Sequence, residues 1–104
     1  MSFKNITATF KLTICDWSTG KVLDKPLLVE IKRKLSGAFA YGDRSSHTIM
    51  VNGNHQYSFD TRYDGISSEK GKWLKFWKEW LNDNWKINTL EEVSYSEEII
   101  DVTE

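Results

Sequence analysis

Two stretches within the first forty residues, 6–14 and 27–35, alternate hydrophobic and polar positions with the two-residue period of a strand. Between residues 6 and 14 the apolar positions are Ile6, Ala8, Phe10, Leu12 and Ile14. This period predicts a half-buried strand, because successive strand side chains point to opposite faces. A second strand is predicted over Leu27–Leu35, interrupted only by Arg33. Pro26 marks its start, since proline cannot donate to a strand ladder. With a glycine-containing turn at 16–21, the two strands form a long antiparallel hairpin.

A second hairpin is predicted over residues 47–59, around the sequence Asn-Gly-Asn. A two-residue turn at Asn52-Gly53 mixes apolar and polar residues on both faces. A three-residue loop with a bulge instead pairs Val51 with His55, Ile49 with Tyr57 and His47 with Phe59. The second register is predicted because it gathers the apolar residues on one face. Residues 38–41 form a further possible short strand.

The period changes to that of an amphipathic helix over residues 72–85, which hold four of the five tryptophans. On a helical projection the apolar face contains Trp73, Leu74, Phe76, Trp77, Trp80, Leu81 and Trp85. Ser67 or Ser68 is the predicted N-cap, and the helix is predicted to end near Asn84. The apolar face covers about half of the helix circumference, wider than the stripe of about 100° that a surface helix usually buries.

These elements predict an α+β fold. An antiparallel sheet of four to five strands, in two hairpins, packs against one C-terminal Trp-rich amphipathic helix as a two-layer sandwich. The competing architecture is a small β-barrel or sandwich with the helix plugging one end. Residues 1–90 form a single predicted domain, and residues 91–104 an acidic C-terminal segment that is extended or partly disordered.

Charge is unevenly distributed although the net charge is only −1. Residues 1–90 carry all 14 Lys and Arg residues and nine of the 15 Asp and Glu residues, a balance of +5. Residues 91–104 carry the other six acids and no base, a balance of −6. Two readings follow: the acidic segment is a solvated terminus, or it covers a basic surface on the body.

Candidate catalytic chemistry is sparse. His47 and His55 are several residue pairs apart in the predicted hairpin, and Cys15 lies on another hairpin, so no zinc spacing results. Asp60 and Asp64 flank a single arginine at a predicted strand end, where turn contacts explain them. No glycine-rich phosphate loop is present. We therefore predict no enzyme, metal site, cofactor or small-molecule substrate.

Compartment and origin follow from composition. A single cysteine, no apolar leader and no apolar run of membrane-spanning length predict a cytoplasmic protein with no membrane association. The excess of lysine over arginine is typical of A/T-rich bacterial or phage genomes.

The main functional hypothesis is a non-enzymatic interaction module that binds a protein partner or itself. The wide helix face suggests that its margins stay exposed, and tryptophan is common at interface hot spots. The predicted binding residues are Trp17, Phe76 and Trp85, together with an exposed sheet edge. An accessory or inhibitory protein of a bacterium or phage fits this description.

The alternative hypothesis is a nucleic-acid-binding module. Its predicted contacts are Lys32, Arg33, Lys34, Lys72, Lys75 and Lys78. Against it, Glu79 and Asp83 share the lysine face of the helix, and arginine, the usual base-reading residue, is scarce.

Overall fold

Five antiparallel strands and one helix make up the fold of the computed structural model, which describes residues 2–36, 44–62 and 66–101. In chain order these are β1 (Ser2–Ile14), β2 (Leu27–Ser36), β3 (Arg44–Val51), β4 (Asn54–Arg62), α1 (Lys70–Asn84) and β5 (Ile87–Asp101). The strand order is β4-β3-β2-β1-β5. Because α1 links the two edge strands, it crosses one face of the sheet. The predicted α+β fold, with one helix layered on one antiparallel sheet, is confirmed.

The core lies between α1 and one face of the three central strands. The sheet contributes fully buried apolar side chains from Ile6, Ala8, Phe10, Leu12, Val29, Ile31 and Ile49. The helix contributes Trp73, Leu74, Trp77 and Leu81, which recur at the spacing of one helical face. Burying a large apolar side chain contributes roughly 1.5–3 kcal/mol before entropy is subtracted. The centre of the Trp-rich face is therefore structural.

The β3–β4 hairpin has a shorter turn than predicted. Ile49 pairs with Tyr57 and His47 with Phe59, as predicted. The predicted Val51–His55 pair is wrong, because Val51 pairs with Asn54 across a two-residue turn. Both turn residues have positive φ, 51° at Asn52 and 82° at Gly53, which suits the right-handed twist of the strands. A register shift near Gln56 then returns Tyr57 to the predicted position opposite Ile49, on the same face of the sheet as Ile49.

The helix begins later than predicted and ends where predicted. Its N-cap is Glu69, so the prediction of Ser67 or Ser68 at that position is wrong. Ser67 lies two residues before this cap, and its hydroxyl accepts the Glu69 N–H at 3.2 Å. At the other end, the Asn84 side-chain amide donates to the Trp80 carbonyl at 2.8 Å. Trp85 is the extended C-cap residue.

The acidic segment is part of the sheet. β5 pairs with β1 from Ser2–Asp101 to Ile14–Ile87, so the predicted boundary at residue 90 falls inside this strand. Its glutamates meet basic residues of the body. Lys4 pairs with Glu97 at 3.4 Å, and Lys78 of α1 pairs with Glu92. The segment is thus an extended edge strand through Asp101. The predicted strand at 38–41 and the last residues, 102–104, lie outside the described part of the chain.

Candidate protein-binding surface

A buried polar pair lies under the helix, where the apolar series of β2 is interrupted. Arg33 is only 1% exposed, and it donates to the Ile66 carbonyl at 3.0 Å and the Lys4 carbonyl at 3.3 Å. Its neighbour in the sheet, His47, accepts the Trp73 indole N–H at 3.4 Å. Burial, and then the charge of Arg33, lower the pKa of His47 to about 4. Both residues therefore support the core, and His47 is neutral at pH 7.

Aromatic rings form a continuous series across the core. Trp73 contacts Tyr95 of β5 at a ring-centroid distance of 6.2 Å and Trp77 at 6.1 Å. Trp77 in turn contacts Trp80 at 5.5 Å. Trp80 contacts Tyr57 of β4 at 5.6 Å, nearly edge-on. The series therefore runs from one edge strand to the other, and its two ends have different surroundings.

At the β5 end, the ring series is closed by charged groups. The Tyr95 hydroxyl donates to the Glu97 carboxylate at 2.6 Å, and the Lys70 ammonium lies 4.8 Å from the Tyr95 ring centroid. Burial, and then the hydrogen bond to Glu97, raise the pKa of the Tyr95 hydroxyl. The same hydrogen bond, with Lys4, lowers the pKa of Glu97. This end is polar and internally paired.

At the β4 end, the aromatic residues remain accessible. Tyr57 is 48% exposed and Phe76 is 40% exposed. Phe76 packs edge-on against Trp77 at 5.0 Å, and Trp80 is partly buried. We call Tyr57, Phe76 and Trp80 the aromatic rim. Tyr57 and Trp80 are not among the residues that the sequence predicts to bind, because β4 can be recognised as an edge strand only once the strand order is known.

The three predicted binding residues lie in different surroundings. Phe76 belongs to the aromatic rim. Trp85 is partly buried and packs against Trp80 at 5.9 Å, about 13 Å farther along the helix axis than Phe76. Trp17 is 73% exposed, on the connection between β1 and β2. The structure therefore joins Phe76 and Trp85 through the ring series and places Trp17 on a separate turn.

That turn is held by the carboxylate of Asp16. It accepts the Ser18 N–H at 2.8 Å, the Ser18 hydroxyl at 2.5 Å and the Thr19 N–H at 3.1 Å. These bonds, led by the Ser18 hydroxyl, lower the pKa of Asp16. Gly20 completes the turn with φ of 74°, a conformation that favours glycine. Trp17 is therefore presented from an ordered turn.

The six basic residues of the alternative hypothesis do not form one surface. Arg33 is buried beneath α1, whereas Lys32 and Lys34 alternate with it and point to the opposite face of the sheet. Lys32 pairs with Glu30 at 3.3 Å. On the helix, Lys72 pairs with Glu69 at 3.6 Å, Lys78 pairs with Glu92, and Lys75 is exposed. The predicted basic triplet is thus divided by the strand pleat.

The two edges of the sheet differ in charge. β5 carries Glu91, Glu92, Glu97 and Glu98 and has two register shifts against β1. β4 has no Lys, Arg, Asp or Glu from residue 54 to residue 59, and its one register shift leaves residues 57–62 regular. Charged residues and bulges are the usual protection of an edge strand against pairing. By this criterion β5 is the better protected edge, and β4 is less protected over residues 54–59.

The sheet face opposite α1 is polar. Its exposed or half-buried positions include Thr7, Thr9, Thr13, Thr48, Ser58, Ser94 and Ser96. A shallow concavity of about 490 Å³ near Asn5 and Lys34 is lined without histidine or cysteine. In the described ranges, no three His, Cys, Asp or Glu residues are grouped to hold a metal ion. The described helix, α1, is too short and too polar to cross a bilayer.

The comparisons with known proteins leave this surface as the main basis for a functional inference. The chain matches no protein-family model, and no curated protein or solved structure shows significant similarity to it.

Proposed function

We propose that this chain is a small, non-enzymatic cytoplasmic interaction module that binds protein through the aromatic rim and the adjoining edge of β4. The observation that carries the proposal is that an uncharged strand edge and exposed aromatic residues occur in the same part of the molecule. The sheet edge without charged residues in its first six positions carries the exposed Tyr57, whose ring contacts Trp80 of α1, and Phe76 stays exposed about one helical turn before Trp80.

Two kinds of binding energy are available on this surface. Among the described strands, β4 has no neighbour on its outer side, and an added strand would satisfy the backbone N–H and C=O groups there. Partly exposed aromatic rings on a packed base are typical interface hot spots, because they bury large apolar area with little loss of conformational entropy. Trp80 forms that base, since it contacts both Tyr57 and Trp85.

Phe76 is the central predicted contact of this surface. In this proposal Trp85 does not contact the partner but packs against Trp80 and holds it in place. Trp17 makes a separate contact with the partner from its turn. The nucleic-acid alternative is not carried forward, because Arg33 is buried and three of the lysines are paired with carboxylates.

The proposal is tested by comparing Phe76→Ala with the matched control Lys75→Ala, an exposed neighbour on the polar side of α1. Each tagged variant is incubated with extract from the native cell, and the captured proteins, including untagged copies of the chain itself, are quantified. We expect Phe76→Ala to capture at least tenfold less specific protein than the control does. Its thermal midpoint should stay close to that of the control.

Equal capture by the two variants would remove the aromatic rim from the binding surface. Loss of the folded state in Phe76→Ala would show instead that this residue belongs to the core. Nucleic acid recovered with the wild-type chain, and released by moderate salt, would favour the alternative hypothesis.

A further inference from the structure

We infer that the edge of β4 binds the β4 edge of a second copy of the chain, antiparallel and about a two-fold axis, giving one ten-stranded sheet. This inference rests on the proposed function, because it names the occupant of the same surface. Its first basis is geometric: an edge strand is best satisfied by another strand edge, and β4 is an edge strand among the described residues of each copy.

The charge on the two edges selects β4 for self-pairing. Two β5 strands would bring two sets of four glutamates together, and like charges opposite each other destabilise a strand pair. β5 does expose Val93 and Ile99, but Glu92 and Glu98 precede them directly. β4 presents Asn54, His55, Gln56, Tyr57 and Ser58, none of which is Lys, Arg, Asp or Glu.

The sequence of β4 is compatible with pairing to itself. Full overlap of Asn54–Arg62 with a second copy places the two-fold axis at Ser58, the middle residue of the strand. In this register Tyr57 is opposite Phe59 of the second copy, Gln56 opposite Asp60, and Asn54 opposite Arg62. No pair of like charges results, and an aromatic pair lies on each side of the axis, where the strand is regular.

The same symmetry brings the aromatic rims together. A two-fold axis perpendicular to the sheet keeps both α1 helices on one face, so the two rims line a common groove above the joined strands. A fully paired strand of nine residues would join the two copies over about 30 Å.

Ser58 supplies a direct test, because a residue on the two-fold axis meets its own copy. Ser58 is exposed on the sheet face opposite α1, so charge is tolerated there in the monomer. Wild type, Ser58→Glu, Ser58→Lys and an equimolar mixture of the two variants are compared by sedimentation over a concentration series. We expect each variant alone to dimerise with a Kd several-fold higher than that of wild type, and the mixture to form a heterodimer about tenfold tighter than either homodimer.

Ser94 is the matched control, since it is an exposed serine on the same face of the opposite edge strand. Ser94→Glu, Ser94→Lys and their mixture should all self-associate as wild type does. A second readout uses Ser58→Cys in a Cys15→Ser background. Mild oxidation should cross-link this chain as a covalent dimer, whereas Ser94→Cys in the same background should still associate but should not be cross-linked.

A wild-type chain that sediments as a monomer up to about 1 mM, where even a weak specific dimer is populated, would overturn the inference. So would a dimer that is insensitive to charge at Ser58 or disrupted equally by charge at Ser94. If the chain is monomeric but its extract capture still depends on Phe76, the self-pairing fails and the proposed function stands. If neither association depends on Phe76, the proposed function fails.

Discussion

At the scale of single residues, His47 links stability to pH. Its imidazole is fully buried, with ring centroids 6.4 Å from Trp73 and 5.2 Å from Trp77. Arg33, its neighbour in the sheet, already places a positive charge beneath the helix. A proton on His47 would add a second charge without exposure to water, so the folded state excludes it.

Acidification below the ordinary pKa of a histidine should therefore destabilise the protein. The folded-state pKa of His47 is about 4, below the ordinary value of 6.5, so only the unfolded chain gains this proton as pH falls from 6.5 to 4. We expect the free energy of unfolding to fall by roughly 3 kcal/mol across that window, and His47 to add no further loss below it. Urea denaturation between pH 7 and pH 4 measures the change.

The control variant distinguishes the effect of His47 on the pH profile from that of His55. His55 is exposed, so His55→Gln should keep the wild-type pH profile, whereas His47→Gln should be less stable at pH 7 but flatter between pH 6.5 and pH 5. Glu97 and Asp16 have lowered pKa values, so their losses begin near the ordinary carboxyl values of 4.5 and 3.8, below the interval from pH 6.5 to pH 5 in which the variants are compared. A profile that stays steep in His47→Gln would contradict the assignment.

Two neighbouring residues of the helix should respond very differently to truncation. Trp77 is fully buried and Phe76 is 40% exposed, although both are large aromatics in the same turn. We expect Trp77→Ala to lower the free energy of unfolding by about 3–5 kcal/mol and Phe76→Ala by about 1 kcal/mol or less. Thermal and urea denaturation of both variants check this. Similar losses in the two variants would mean that the margin of α1 is core.

At the scale of elements, β5 is the least expected part of the fold. Its sequence is acidic and only weakly periodic, and from residue 91 onwards it is predicted to be extended or partly disordered. In the structure it forms 15 residues of strand along the whole length of β1, and it contributes Leu90 and Tyr95 to the edge of the core. Each of the four fully buried residues of β1 therefore has a β5 residue beside it in the sheet.

Removing the acidic segment should for this reason abolish the fold. A chain that ends at Leu90 loses most of β5 and leaves β1 as an edge strand. We expect it to lack a cooperative thermal transition, and hydrogen exchange of β1 amides to lose its protection. Removal of residues 102–104 alone is the control and should leave the thermal midpoint unchanged. Cooperative unfolding of the chain that ends at Leu90 would show that residues 1–90 are an independent domain.

At the scale of the whole molecule, opposite charges that are separated in sequence are interleaved in space. The acidic strand lies against the basic body, with Glu97 near Lys4, Glu92 near Lys78, and Glu91 paired in register with Lys11. Each exposed pair contributes little, about 0–1 kcal/mol, but all of them act in the same direction. The net charge of −1 conceals this arrangement.

Salt should therefore weaken the fold slightly. Raising NaCl from 0.05 M to 1 M shortens the Debye length from more than 10 Å to about 3 Å, which screens the attraction between β5 and the body. We expect the free energy of unfolding in urea to fall by about 1 kcal/mol. The double variant Glu91→Gln, Glu97→Gln should respond less. A rise in stability with salt in both chains would indicate that repulsion, and not attraction, dominates the charge pattern.

The sequence alone determined the elements whose signal is local. The two-residue period of β1 and β2 and the helical period of residues 72–85 each report one buried face, so strands, helix and core centre follow from them. The Asn-Gly turn is a partial case. Its location and two of three pairs were predictable, but the shift near Gln56 was not, because a bulge restores a face that the short turn alone would lose.

The tertiary structure decided strand order, and with it the candidate surface. No local sequence pattern predicts that residues 2–14 pair with residues 87–101, because this pairing depends on the competition among all strands for neighbours. Only that order makes β4 an edge and places Tyr57 of that edge against Trp80 of α1. A sequence specifies which side chains avoid water, whereas the surface left exposed depends on how the whole chain covers itself.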